Sequence, residues 1–179
     1  VLHEIARSRS PQELVGWGAN SVICAFHRFL EQENATGICA VDRLPFHQGY
    51  QYLKGKFQVG LTFPNGETRR LDRIQLFAST CQGASHASSA IDIVLGAFRY
   101  CVNERDRNIA PRDMFPKIVR MMWHRREGNR IYLREYGLLF RPRRVRVEAH
   151  QKEYDELTEH LAGLLKEVPE TAYHAAQTV

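Results

Sequence analysis

The stretch Thr36-Gly37-Ile38-Cys39-Ala40-Val41-Asp42 carries the decision about the fold. No polar residue interrupts it between Ile38 and Val41, so the alternation that marks a half-solvated strand is missing. A strand of this kind predicts cover on both faces, as for an interior strand of a mixed sheet. Its last residue, Asp42, would stand at a strand C-terminal end, where ligand sites collect in α/β sheets. Upstream, Ser10-Pro11-Gln12-Glu13 is a helix start, with a hydroxyl N-cap, Pro in the first helical position and Glu in the third. Leu14, Trp17, Val22, Ala25, Phe26, Phe29 and Leu30 continue it as a helical stripe, weakened at Gly16 and Gly18. Asn34 to Gly37 ends it.

Downstream, a short helical or irregular piece is expected around Gln48 to Lys54. Phe57, Val59, Leu61 and Phe63 then alternate, and Pro64-Asn65-Gly66 supplies a turn. The return run Thr68 to Ala78 carries Ile74, Leu76 and Ala78 on one face, which predicts a hairpin. Small polar residues from Ser79 to Ser85 lead into Ser89-Ala90-Ile91-Asp92-Ile93-Val94-Leu95-Gly96-Ala97-Phe98-Arg99-Tyr100. Here Ile91, Val94, Leu95, Phe98 and Val102 form the core stripe of a helix, and Asp92, Gly96 and Arg99 share a flanking face. Another helix is predicted from Pro111 to Arg126, with Phe115, Ile118, Val119, Met122 and Trp123 inward. Pro116 is tolerable only in its first turn, and Gly128 would stop it. Ile131 to Val147 reads as two short extended pieces broken at Gly137 and Pro142. Gln151 to Val168 is amphipathic through Tyr154, Leu157, Leu161, Leu164, Leu165 and Val168. The expectation is one α/β domain over residues 1–168, followed by a tail, 169–179, with little reason to be ordered.

Bulk properties narrow the class. With 179 residues, 44% hydrophobic and 25% charged, the chain is long enough and apolar enough to close one globular core. No apolar run approaches the ~20 residues that cross a bilayer, so no membrane partner is expected. The opening Val-Leu-His-Glu-Ile-Ala-Arg lacks the pattern of a signal peptide. Without an initiator Met, the chain is expected to be a piece of a longer product. Cys24, Cys39, Cys81 and Cys101 are scattered with no Cys-x-x-Cys pair, which fits reduced, mostly buried thiols of a cytoplasmic protein. A zinc site joining them to His86 or His124 has no spacing to support it.

Charge is distributed unevenly. From Arg112 to Arg146 eleven Arg and Lys residues oppose three acids, Asp113, Glu127 and Glu135. That surplus of eight exceeds the net +5 of the whole chain, so the remainder is slightly acidic. Such asymmetry is the footprint of a phosphate-binding face, and it is equally the dressing of a solvated surface.

Of the catalytic motifs legible in a sequence, a Gly-x-Ser-x-Gly elbow, a Walker loop, a dinucleotide fingerprint and His-Glu-x-x-His are all absent. Carboxylate chemistry remains, with Asp42 and Asp92 as candidates. Both also have a structural reading. Ser89-x-x-Asp92 matches a capping box, and an acid in a first helical turn stabilises it by about 0.3–1 kcal/mol. Asp42 could receive turn N–H groups. His86 reads as a loop or cap residue, and Asp72 could pair with Arg70 or Arg73.

The passage from Leu71-Asp72-Arg73-Ile74 through Ser88 to Tyr100 resembles the family named domain of unknown function 3800. In that family a strand and a small-residue loop precede a helix written roughly Gln-Leu-Ala-Asp-hydrophobic-x-x-Gly-Ala. Gly37 to Arg43 is similar to its strand ending in Asp. Gly137-Leu138-Leu139-Phe140-Arg141-Pro142 and Glu153-Tyr154-Asp155-Glu156-Leu157 are similar to its closing pattern. The likeness spans about residues 12 to 168 and is most specific at the Asp92 helix. It implies a ribonuclease-H-like mixed sheet flanked by helices, incomplete at the N-terminus, with Asp42 and Asp92 as catalytic residues and ligands of Mg2+ or Mn2+. Two departures stand out. The family's opening strand, bearing Asp-Glu-Ser, has no counterpart here, and Ser89 stands where its helix has Gln.

The function implied is a divalent-metal-dependent nuclease or related phosphoryl-transfer enzyme. Two ions ~3.5–4 Å apart would activate water and stabilise the leaving oxygen of a phosphodiester. Arg99, Arg125, Arg126, Arg141, Arg143 and Arg144 would hold the nucleic acid, DNA or RNA, through its phosphates. The rival is a catalytically inactive domain of the same fold that binds nucleic acid or a protein partner.

Overall fold

The computed structural model describes residues 10–42, 49–63, 65–81, 83, 85–104, 109–127, 130–140, 145 and 147–165. These form a mixed α/β architecture of five helices, one parallel strand pair and two antiparallel pairs. Contacts group them into two compact units, Ser8–Ser89 and the chain from Ala90 onward. The expected tail, 169–179, lies outside the described residues.

The first unit opens with α1 (Pro11–Gln32), whose start is the predicted capping box. The Glu13 N–H donates to Ser10 Oγ at 3.3 Å, and the Ser10 N–H donates to Glu13 Oε2 at 2.7 Å. The helix ends at Gln32 with Glu33 as its cap, Asn34 follows with φ of 47°, and the Ala35 N–H returns to the Leu30 carbonyl at 2.9 Å. Its buried line is Ile23, His27 and Leu30, spaced i, i+4, i+7, whereas Val22, placed on the stripe by hydropathy, is exposed. A histidine on the inward line hid the true phase of the helix.

Strand β1 (Gly37–Asp42) runs parallel to β4 (Ile74–Thr80). Between them lie α2 (Gly49–Gln58), β2 (Leu61–Thr62) and β3 (Thr68–Arg69). Ile23, Leu30, Leu61, Leu71 and Ile74 form the core, lined by Cys24, Phe26, Phe29, Cys39, Tyr52 and Phe77. Gly37 lies against α1 so closely that a Cβ there would come within 2.9 Å of Phe26 Cζ. The opposite face of β1 is open: burial alternates, and Ile38 is 62% exposed. The expectation of cover on both faces is therefore corrected. An unbroken apolar run cannot distinguish a doubly covered strand from one whose outward residues are apolar but solvated.

The predicted hairpin is also shorter than its alternation suggested. Phe57 belongs to α2 and is exposed, so pairing is confined to Leu61 with Arg69 and Thr62 with Thr68. The return strand leaves the hairpin after Arg69, and Ile74 onward pairs with β1 instead. Gly60 (φ 99°) makes this crossing possible, because a Cβ there would strike the Arg69 carbonyl oxygen.

The second unit contains most of α3 (His86–Asn103), then α4 (Ile109–Met121), β5 (Arg125–Glu127), β6 (Arg130–Tyr132) and α5 (Glu148–Leu165). Phe115, Ile118 and Val119 of α4 meet Leu161, Leu164 and Leu165 of α5, with Cys101, Leu133, Leu138 and Phe140 completing the core. On α3 the inward residues are Val94, Ala97, Phe98 and Cys101, and Phe98 stacks on Phe115 at 6.1 Å. Ile91 and Leu95, expected in the core stripe, are each 57% exposed. The surplus of apolar residues around this helix widened the apparent stripe beyond the face that packs.

Helix α4 begins two residues before the predicted Pro111 and stops at Met121. Pro116 therefore lies inside it, not in the first turn, at the loss of one backbone donor. Arg125 and Arg126, expected as its end, pair instead as strand β5 with β6. Helix α5 matches the predicted amphipathic pattern over the described residues. His160 Nε2 joins it to α3 by donating to the Cys101 carbonyl at 2.8 Å.

Candidate functional site

Asp42 closes β1 and pairs in register with Thr80 of β4. It is exposed, at the carboxyl end of a parallel strand pair, as its sequence position implied. Asp92 is not in a first turn. Helix α3 starts six residues earlier, and its cap is Ser85, whose Oγ accepts from the Ser88 N–H at 3.1 Å. The Ser85 N–H in turn donates to Ser88 Oγ at 3.3 Å. This closes a box four residues upstream of the one expected at Ser89, and Asp92 takes no part in it. Asp92, Gly96 and Arg99 are all exposed on the flanking face that their spacing predicted.

Asp42 belongs to the first unit and Asp92 to the second. Among the described residues no group of three or more His, Cys, Asp and Glu side chains could hold a metal ion. The four cysteines are free thiols, with Cys81 exposed and Cys101 fully buried. Burial pushes the Cys39 and Cys101 thiols up.

Of the proposed phosphate contacts, Arg99, Arg125 and Arg126 are exposed. Arg141, Arg143 and Arg144 lie outside the described residues. Arg112, Lys117 and Arg120 add to the exposed cations on the solvent side of α4. Arg134 is committed elsewhere: it donates to the Tyr154 hydroxyl at 3.1 Å and lies over the Phe140 ring at 5.4 Å. Arg125 reaches Glu127 at 2.6 Å, and a hydrogen bond with Tyr136 followed by the Glu127 charge holds its pKa above the ordinary arginine value.

One polar arrangement escaped the sequence reading. His27 is 2% exposed, and its Nε2 lies 3.0 Å from Asp72 Oδ1. The hydrogen bond to His27 holds the Asp72 carboxyl below its usual range, with smaller help from the charges of His27 and Arg73. An ionised carboxylate only accepts, so Nε2 carries the proton. Nδ1 lies 3.5 Å from Glu31 Oε2 and makes no hydrogen bond. Asp72 therefore takes a buried histidine from α1 as its hydrogen-bond partner, not Arg70 or Arg73. The only sequence signal was a polar residue on an apolar helix face.

Tyr52 of α2 donates to Asn20 Oδ1 at 2.6 Å and to the Gly16 carbonyl at 3.2 Å. Burial, with the nearby Cys39 thiol, pushes its hydroxyl up to about 12. Lys56 sits over the Tyr52 ring at 5.0 Å, and desolvation lowers its pKa. These contacts tie α2 to α1 and account for both side chains structurally.

No protein-family model, curated protein or solved structure matches this chain. No helix among the described residues is long and apolar enough to cross a membrane.

Proposed function

We propose that this protein binds nucleic acid through the cationic segment between Arg112 and Arg146, as a ribonuclease-H-like α/β protein in which catalysis is not required. The observation that carries this reading is a separation of charge within the second unit. On α4 and β5 the exposed cations Arg112, Lys117, Arg120, Arg125 and Arg126 oppose Asp113 and Glu127. On α5 the exposed acids Glu148, Glu153, Asp155, Glu156 and Glu159 oppose Lys152. A surface charged only for solubility mixes its signs, whereas a phosphate-binding surface segregates them. The parallel β1–β4 pair with a helix against one face is compatible with the ribonuclease-H-like assignment, which itself rests on the resemblance.

Metal-dependent phosphodiester cleavage is the second reading. Its support is the placement of Asp42 at a parallel strand end, together with an Asp92 that has no capping role. Titrating the protein with a labelled oligonucleotide at increasing salt tests the first reading: affinity should fall steeply, with a slope set by the phosphates contacted. Absence of polyanion binding at low salt would reject it. The second predicts cleavage with Mg2+ or Mn2+ that is lost in Asp42→Asn and in Asp92→Asn. Cleavage unaffected by either substitution would remove both residues from the site.

A further inference from the structure

The β5–β6 hairpin presents a cluster that charge alone does not explain. Arg125 and Tyr132 are directly opposite in the antiparallel register, so their side chains leave the ribbon on the same face. The Tyr136 ring meets Trp123, two residues before Arg125, edge-on at 5.1 Å and 80°. The Gly137 N–H donates to the Trp123 carbonyl at 2.8 Å, fixing the backbone behind the two rings. Arg125 is 56% exposed and yet held in place by Glu127 at 2.6 Å. Long surface arginines ordinarily keep their rotamer freedom. Here the charge is already answered by Glu127, so what the hairpin presents is an exposed planar guanidinium beside the half-buried ring of Tyr132.

A flat cation flanked by tyrosines suits the face of an unpaired base. Duplex DNA hides its base faces and offers phosphates and groove edges instead. The exposed α4 cations, Arg112, Lys117 and Arg120, supply the charge that a strand's phosphates need. We propose that Arg125, Tyr132 and Tyr136 form a stacking platform for single-stranded nucleic acid, with the α4 cations holding its backbone. This rests on the nucleic-acid reading above and specifies its substrate class.

The test is fluorescence anisotropy of the intact protein with a labelled oligothymidylate and with a blunt duplex of equal length. Single strand should be preferred. Arg125→Lys keeps the charge but loses the plane, and Tyr132→Leu loses the ring. Each should weaken single-strand binding roughly 5- to 150-fold, as loss of a base stack does. Neither should alter the salt slope or duplex affinity. Tyr132→Phe should retain single-strand binding, and Arg120→Ala should reduce the slope by ~0.7 while leaving the preference intact. If Tyr132→Leu fails to fold, the exposed Arg125→Lys decides alone. Equal affinity for both forms, or single-strand binding indifferent to Arg125→Lys, overturns the platform and leaves polyanion binding standing. No binding to either form overturns both.

Discussion

Gly137→Ala is a single methyl added where two backbone segments touch. Its Cβ would lie 2.5 Å from the Trp123 carbonyl oxygen, 2.8 Å from Met122 Cβ and 3.0 Å from the Trp123 N. Two of these three atoms are backbone, so no rotamer change relieves the contact. The segment must move away, and doing so stretches the Gly137 N–H···O bond to Trp123, now 2.8 Å. Overpacking of this kind costs about 1–3 kcal/mol, and a lost hydrogen bond adds about 0.5–1.5 kcal/mol. The expected loss is therefore about 2–4 kcal/mol, a fall in Tm on the order of 5–15 °C. Thermal unfolding followed by far-ultraviolet circular dichroism measures it. Gly163→Ala is the control: it adds the same methyl to an exposed position in α5 where nothing lies within 4 Å. There the substitution should stabilise by about 0.5–1 kcal/mol, since alanine loses less conformational freedom in a helix. A Gly137→Ala protein melting within ~2 °C of the parent would refute the close approach of Trp123 and Gly137.

Phe115→Ala, at a fully buried site between α3 and α5, should cost about 3–5 kcal/mol in urea unfolding, whereas Ile93→Ala, 73% exposed on α3, should stay within about 0.5 kcal/mol of the parent. The depressed Asp72 carboxyl contributes stability that is present above its unfolded value of about 3.9 and is lost as the pH falls through the lower folded value. Unfolding midpoints of Asp72→Asn and the parent should accordingly differ at neutral pH and converge in acid; a constant gap would show that the His27 contact is not an ionic one. A thiol reagent should modify exposed Cys81 first and reach buried Cys101 only on unfolding, which quantitative labelling with and without denaturant will establish.

Local signals carried the elements whose cause is local. The capping box at Ser10, the strand ending in Asp42 and the amphipathic helix before Leu165 are each fixed by a few neighbouring residues, and they formed where expected. Near Asp92 the same kind of signal misled. Ser89-x-x-Asp92 and Ser85-x-x-Ser88 are both plausible starts, and extending α3 by one more turn moved Asp92 away from the cap. The face shared by Asp92, Gly96 and Arg99 was legible all the same, because helical periodicity survives an error in the starting point.

Charge and hydrophobic order are written along the chain, so residue order by itself determined a mixed α/β protein with a predominantly cationic segment. Partners distant in sequence were decided only by tertiary structure. Strand β4 left its local hairpin for a parallel pairing with β1, and a histidine on α1 was buried against Asp72, 45 residues away. The ends of β5 and β6 brought an arginine opposite a tyrosine. Periodicity reports which side of an element is apolar but carries no information about what will lie against it, and it is that contact that turns a charged residue into a buried clamp, a stacking surface or a solvated ornament.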